Sequence, residues 1–435
     1  MPSLKEQDFE IISNNLKFLN DAKSENNGII IWKDSEEATN TPETFKYLDA
    51  LYSYIVVYGQ MIDYTNKLNK NDNIIFEKEL FDIDNDLIRV FDLILKDGFF
   101  PVPYLWQWDR PFDLMDMASQ CCELCVTLFE NGYLNNRNNN DLTNKAKEVL
   151  HKSVKAIIDA VTIFNGEYVW KGWSRTVKDK KISKINASTY FTSLCCIALS
   201  RYVSGRDNCK GQINFDFKKD DLIKYIKSAL SWVISRYNSQ QKVLYKYDDN
   251  SEQSLYWPLF LLLAVCDAKN IIGDISSDTT LEIWKNLMGE TSKRIKDNRE
   301  LFDSITMQIA TPALPLIYED RCSLGALTYS LLKYAQMFES EHYDKDFVLN
   351  YLISKVTDEI KNQPTLIMNN TYNLRAYLLF IDYKQPIAVM VPFKAARKLI
   401  NDIIDAKITE MKTQIYLKLK EYEQIVSNKE EEDKK

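Results

Sequence analysis

Acids and aromatics recur together in this chain, and that pairing is where chemistry is sought first. Asp113, Asp116, Asp249 and Glu252 fall at or just before apolar helical text. Two carboxylates held about 5–10 Å apart across a sugar can act as acid and base on a glycosidic bond. Trp106, Trp108, Trp170, Trp173 and Tyr247 lie in short stretches near them and Trp257 in the helical text 251–268, and flat rings of this kind stack on sugar faces. Arg110 and Arg175 add cations beside them. The stretch Trp173-Ser174-Arg175-Thr176-Val177-Lys178 opens a basic loop able to grip an anion or an acidic surface. Trp106-Gln107-Trp108-Asp109-Arg110 combines residue types enriched in interface hot spots. The same residues also have a purely structural use, because acids cap helices and aromatic inserts pack.

Other chemistries find less to work with. The chain has two histidines, His151 and His342, and no CxxC pair, so no metal set is expected. Cys121 and Cys125 stand one helical turn apart, but in the apolar text CCELC. With the segment LCCIAL they imply reduced core thiols of a cytoplasmic protein rather than a disulfide framework. Neither histidine has a nucleophile-elbow context. No Walker A, GxGxxG, HExxH or EF-hand pattern occurs, so no cofactor is expected.

The elements that would position these residues follow from composition and period. Of 435 residues, 45% are hydrophobic and 27% charged, with 11 Gly and 11 Pro. So few Gly and Pro argue for a helical chain over an all-β one. The formal charge of -7 gives no global pull toward nucleic acid. The longest apolar run, near Leu255–Cys266, is shorter than the about 20 residues of a membrane span. No secretory leader is seen in MPSLKEQDFE.

An internal repeat organises the text. Amphipathic helices are expected over 8–23, 84–97, 143–163, 219–237, 279–297 and 345–362. Each precedes a short aromatic stretch, such as GIIIWKD, GFFPVPYLWQWD, GEYVWKGW or KVLYKYDD. Then come helices apolar around most of their circumference, over 41–58, 112–130, 185–203, 251–268, 322–338 and 371–382. Six pairs of a solvated and a buried helix predict an all-α (α/α)6 toroid over residues 1–385, with short extended inserts on one rim. An open α-solenoid is the alternative, though its units are shorter. Residues 386–435 form a second region: one long helix and a charged tail. Its stripe Ile404, Ile408, Met411, Ile415 and Leu419 must cover something, either its own toroid or a protein partner.

The sequences GEYVWKGW followed by NASTYFTSLCCIAL, and KVLYKY followed by SEQSLYWPLFLLLA, resemble the repeat of the terpene cyclase and protein prenyltransferase toroids. Six-hairpin glycosidases and lanthipeptide cyclases share that architecture. The resemblance implies a proton-donating acid at an inner-helix start, but in Asp113-Leu114-Met115-Asp116 a methionine stands where the donor is needed. It also implies an Asp/Cys/His zinc set for a prenyltransferase, and none is found. Two functions follow as expectations. One is a non-catalytic toroid that binds a protein partner through its aromatic-acidic face and C-terminal helix. The other is a toroid enzyme acting on a glycan or an isoprenoid as a small-molecule ligand. A centre plugged by Phe191, Phe260 and Tyr329 would count against the enzyme.

Overall fold

The computed structural model describes residues 4–26, 29–32, 44–68, 80–98, 115–175, 182–209, 212, 216–245, 248, 253–254, 257–273, 275, 278–299, 301, 323–338, 342, 344–362 and 370–381. The chain divides into two compact units, Met1–Phe380 and Ile381–Lys435. The expected partner stripe Ile404, Ile408, Met411, Ile415 and Leu419 lies outside the described residues.

The first unit is an all-α toroid. Its outer helices are α1 (Glu6–Asp21), α3 (Asp84–Asp97), α6 (Asn140–Asp159), α8 (Lys219–Ser235), α10 (Asp278–Lys296) and α12 (Lys345–Lys361). They alternate with inner helices α2 (Thr44–Leu68), α4 (Met115–Glu130), α7 (Thr189–Asn208), α9 (Trp257–Ile272), α11 (Ser323–Phe338) and α13 (370–381). A short helix, α5 (Tyr133–Arg137), links α4 to α6. Outer helices bury one stripe only: on α6 it is Leu142, Ala146, Val149, Leu150, Ser153, Val154 and Ile157. Inner helices are buried nearly all round, as in α9, where every residue from Trp257 to Cys266 is in the core. Cys121, Cys122 and Cys125 of α4 and Cys195 and Cys196 of α7 are buried free thiols, and Cys122 Sγ donates across to the Ala198 carbonyl at 3.5 Å. Burial pushes thiols up, Cys209 to about 11 and Cys266 to about 12, which leaves them inert packing groups.

Polar hooks close the ring and exclude the solenoid. Asn15 of α1 and Asn370 of α13 exchange side-chain hydrogen bonds at 3.0 and 2.8 Å. Asn15 Nδ2 also donates to Ile360 O of α12 at 3.3 Å. Thr371 Oγ1 donates to the Asp49 carbonyl of α2 at 2.9 Å. Tyr377 OH donates to Asp8 Oδ1 at 2.8 Å. The first and last helix pairs are therefore neighbours.

Short antiparallel strands connect outer helix ends to inner helix starts: β1 (Lys23–Asn26), β2 (Ile29–Trp32), β3 (Val161–Phe164), β4 (Glu167–Arg175), β5 (Ile182–Ala187), β6 (Tyr237–Asn238), β7 (Val243–Tyr245) and β8 (Gln253–Ser254). The expected rim of extended inserts is present at these three sheets. Helix ends differ from expectation where the strands compete. Residues 161–163, expected to finish an outer helix, pair with β4, Val161 opposite Trp170. Asn165 and Gly166, both at positive φ, make the tight two-residue turn that fixes this register. Residues 185–187 and 253–254, expected as helix, are strand, and the inner helices start later. Ser188 then caps α7, accepting from Phe191 N at 3.3 Å.

Candidate functional site

The inner helices run in one direction, so one stripe of each faces the centre of the ring. On α4 the stripe is Gln120, Glu123, Thr127 and Glu130, spaced three, four and three residues. On α13 it is Tyr372, Arg375 and Leu379, and on α2 it is Asp49, Tyr52 and Val56. Helix α7 offers Tyr190, Arg201 and Ser204, α9 offers Phe260, Leu263 and Asp267, and α11 offers Tyr329 and Lys333. Most of these positions keep some solvent access in otherwise buried helices, although Tyr52, Phe260 and Leu263 are only 2% exposed. Side-chain exposure is 29% for Arg201, 16% for Glu130, 15% for Lys333, 13% for Arg375, 12% for Asp267 and 7% for Glu123. These stripes thus carry a polar wall of nearly buried charges. Phe260 is 2% exposed and packs on Tyr190 and Tyr372, Phe191 packs beside Tyr190, and Tyr329 keeps partial exposure.

The wall is layered. In the first turns an aromatic layer forms: the Tyr190 ring lies 5.0 Å from both Trp257 and Phe260, and Phe260 lies 6.2 Å from Tyr372. One turn deeper, Arg375 donates to Glu123 Oε2 at 3.0 Å and to the Tyr52 hydroxyl. Its guanidinium sits 4.5, 5.7 and 5.8 Å from the ring centres of Tyr52, Tyr372 and Tyr329, a cation inside three tyrosines. Deeper still, Lys333 Nζ pairs with Asp267 Oδ1 at 2.6 Å and Arg201 with Glu130 Oε2 at 2.6 Å. Near the top, Gln120 Nε2 donates to Asp49 Oδ1 at 2.5 Å.

Low dielectric shapes these charges. Burial holds the Asp49 carboxyl well above the usual range, against the pull of Arg375. Burial, with Asp267 nearby, pushes Glu123 up to about 7. Burial lowers Arg375 to about 10. Glu123 therefore binds its proton more tightly in the folded than in the unfolded chain. Its stabilising contribution is complete below pH 4.5 and is lost as pH rises through about 7. The loss amounts to about 3 kcal/mol at 1.36 kcal/mol per unit. Glu123→Gln should remove that slope. Urea unfolding of both proteins at pH 5 and pH 8 measures it, and parallel slopes would refute this account of Glu123.

The residues expected to form the site fare differently. Trp170, expected at the open face, is fully buried: its Nε1 donates to Ile157 O at 2.6 Å and its backbone N to Thr192 Oγ1 at 3.0 Å. It anchors β4 against α6 and α7 because indole combines a large apolar surface with one donor. Trp257 is also buried, as the first residue of α9 and a member of the aromatic layer. Trp173 and Arg175 lie on β4 with backbone partners Ile185 and Ile182, and the register shifts between Ser174 and Arg175. Asp116 is the second residue of α4. Trp106, Trp108, Arg110, Asp113, Tyr247, Asp249 and Glu252 lie outside the described residues. Their neighbour Asp248 is described: its N donates to Ala187 O at 3.0 Å and its carbonyl accepts from Arg236 at 2.9 Å. These bonds tie Asp248 to the end of β5 and to Arg236, just past α8. Sequence reasoning looked to loops and passed over Asp49, Glu123 and Arg375, whose signal was a polar stripe within apolar helices. Among the described residues no group of three or more His, Cys, Asp or Glu could hold a metal ion. No described helix is long and apolar enough to cross a membrane.

The chain matches no family model. It matches no curated protein. Among solved structures it is similar to a GH76 α-mannanase from Bacteroides thetaiotaomicron, with a TM-score of 0.51 and 11% identity over 87% of this chain and 97% of that one. An identity this low shows the fold alone: an α/α toroid shared with a glycoside hydrolase. The likeness gives no support to the terpene cyclase and prenyltransferase resemblance.

Proposed function

We propose that the chain is a glycan-directed toroid enzyme that hydrolyses glycosidic bonds at the end of the ring where the inner helices begin. One observation carries this reading. At that end an inward wall combines tyrosine rings with carboxyls whose protons are held more tightly by burial, Asp49 well above the usual range and Glu123 up to about 7, in a fold shared with a glycoside hydrolase. Glycoside hydrolysis needs such a carboxyl to protonate the leaving oxygen. Asp113, Asp116, Asp249 and Glu252, read from the sequence as acids at or before helix starts, are candidates for the second carboxylate. Trp106, Trp108, Arg110, Trp173, Arg175 and Tyr247 are candidates for holding the sugar there. The partner-binding role expected for the C-terminal helix draws no support from the described residues.

The test uses the full chain. It is incubated with α-mannan and a panel of other polysaccharides, and products are resolved by anion-exchange chromatography. New oligosaccharides from at least one polymer are expected. No release from any of them, with no retention in glycan affinity electrophoresis, would sink the reading.

A further inference from the structure

The acids of the central wall are not equivalent. Glu123, Glu130 and Asp267 are each tied to a cation, Arg375, Arg201 and Lys333 respectively. Asp49 has no ion-pair partner among the described residues. Its Oδ1 accepts from Gln120 Nε2, and its Oδ2 has no hydrogen-bond partner among the described residues. The residue is 7% exposed, so this is a buried carboxyl with one oxygen held and one uncommitted. Gln120 Oε1 is itself buried without a partner. A carboxylate could not satisfy it, whereas a carboxylic acid O–H could once the amide turns over. Asp49 sits in the second turn of α2, level with the first turn of α13, where Thr371 binds its carbonyl. That places it at the aromatic layer, on the rim side of the Arg375–Glu123 pair.

We propose that Asp49 is the proton donor of the hydrolytic site. The inference rests on the functional reading above and adds a residue to it. The proton passes from the Asp49 carboxyl to the glycosidic oxygen as the bond from that oxygen to the anomeric carbon breaks, its electron pair leaving with the oxygen. Water adds its oxygen to the anomeric carbon, and the proton it releases restores the carboxyl. The groups facing Asp49 suit both states. Burial, and after it the neighbouring Glu123, disfavour a negative charge on Asp49, so the acid keeps its proton at rest. Arg375 lies near enough to stabilise the carboxylate formed after transfer without neutralising the acid beforehand. Gln120 is a positioning residue, fixing the carboxyl plane from α4.

Two readouts test it. Infrared spectra of the full chain, with only its Asp carboxyls carbon-13 labelled, are compared for wild type and Asp49→Asn at pH 7. A protonated-carboxyl band present in wild type and absent from the variant is expected. Its absence from wild type overturns the proposal whether or not Asp49→Asn folds. The second readout is turnover of the polysaccharide found active above. Asp49→Asn should lose about 100-fold or more in kcat, with glycan retention and the thermal midpoint preserved. Turnover that survives the substitution overturns the donor role alone. A wild type that turns over no glycan overturns the functional reading and the donor role together.

Discussion

Replacing Arg375 with alanine is expected to destabilise the toroid by about 3–5 kcal/mol at pH 8, the cost of stranding one partner of a buried ion pair. Arg375 bridges three inner helices: it stands on α13, donates to Glu123 of α4 and to Tyr52 of α2, and fills the space between three tyrosine rings. Without it the Glu123 carboxylate would face burial and Asp267 without its ion-pair partner, with Arg201 and Lys333 alone to offset them. The protein has one escape, which is to take up a proton. The loss should therefore shrink at pH 5, where Glu123 is already protonated, leaving chiefly the lost packing of the guanidinium and its stem. Urea midpoints at the two pH values measure both figures. A deficit under about 1 kcal/mol at pH 8 would show that the pair contributes little. The double variant Arg375→Met, Glu123→Gln should recover much of the stability, because it removes both charges and keeps the volume.

Gly325→Ala is the second large effect. Gly325 lies in the first turn of α11, where α13 crosses so closely that a Cβ would meet Asn373 Oδ1 at 2.5 Å, Asn373 N at 2.7 Å and Tyr372 C at 2.9 Å. Two of those atoms are backbone, so α13 itself must shift. Overpacking of this kind costs about 1–3 kcal/mol. The shift would also strain the bond from Asn373 Nδ2 to Glu359 and carry Tyr372 out of the aromatic layer. Gly289→Ala is the control. It lies within α10 with nothing inside 4 Å of the added carbon, and alanine there should stabilise by about 0.5–1 kcal/mol. Opposite signs from one substitution type would locate the effect in the α11–α13 crossing. Equal thermal midpoints for the two variants would contradict it.

The repeat was legible because each outer helix must carry an apolar stripe and each inner helix must be apolar nearly all round. That difference survives in the text of α6 and α9 without any knowledge of neighbours. Strand ends were less legible. Val161-Thr162-Ile163-Phe164 continues the helical period of α6, and only the Asn165-Gly166 turn and the pairing with β4 make it extended. The site was the least legible part. Gln120, Glu123, Thr127 and Glu130 stand at helical spacing in an otherwise apolar segment, a visible anomaly. What it faces depends on ring closure, which brings Arg375 to Glu123 across more than half the chain. Trp170 misled for the opposite reason. An aromatic in a rim strand has the same sequence context whether it faces a ligand or the core.

Closure by the first and last pairs also sets a timetable. The ring-closing partners of Asn15, the Asp49 carbonyl and Ser53 lie in residues 360–371, so α1 and α2 leave the ribosome long before those partners exist. At about 5–20 residues per second, that wait lasts roughly 20–70 s. Through it, the apolar flank of the first pair is an open edge competing for any passing hydrophobic chain. The toroid thus combines a native state without ends with a nascent state that has two, and its dependence on chaperones should be greatest in the half made first.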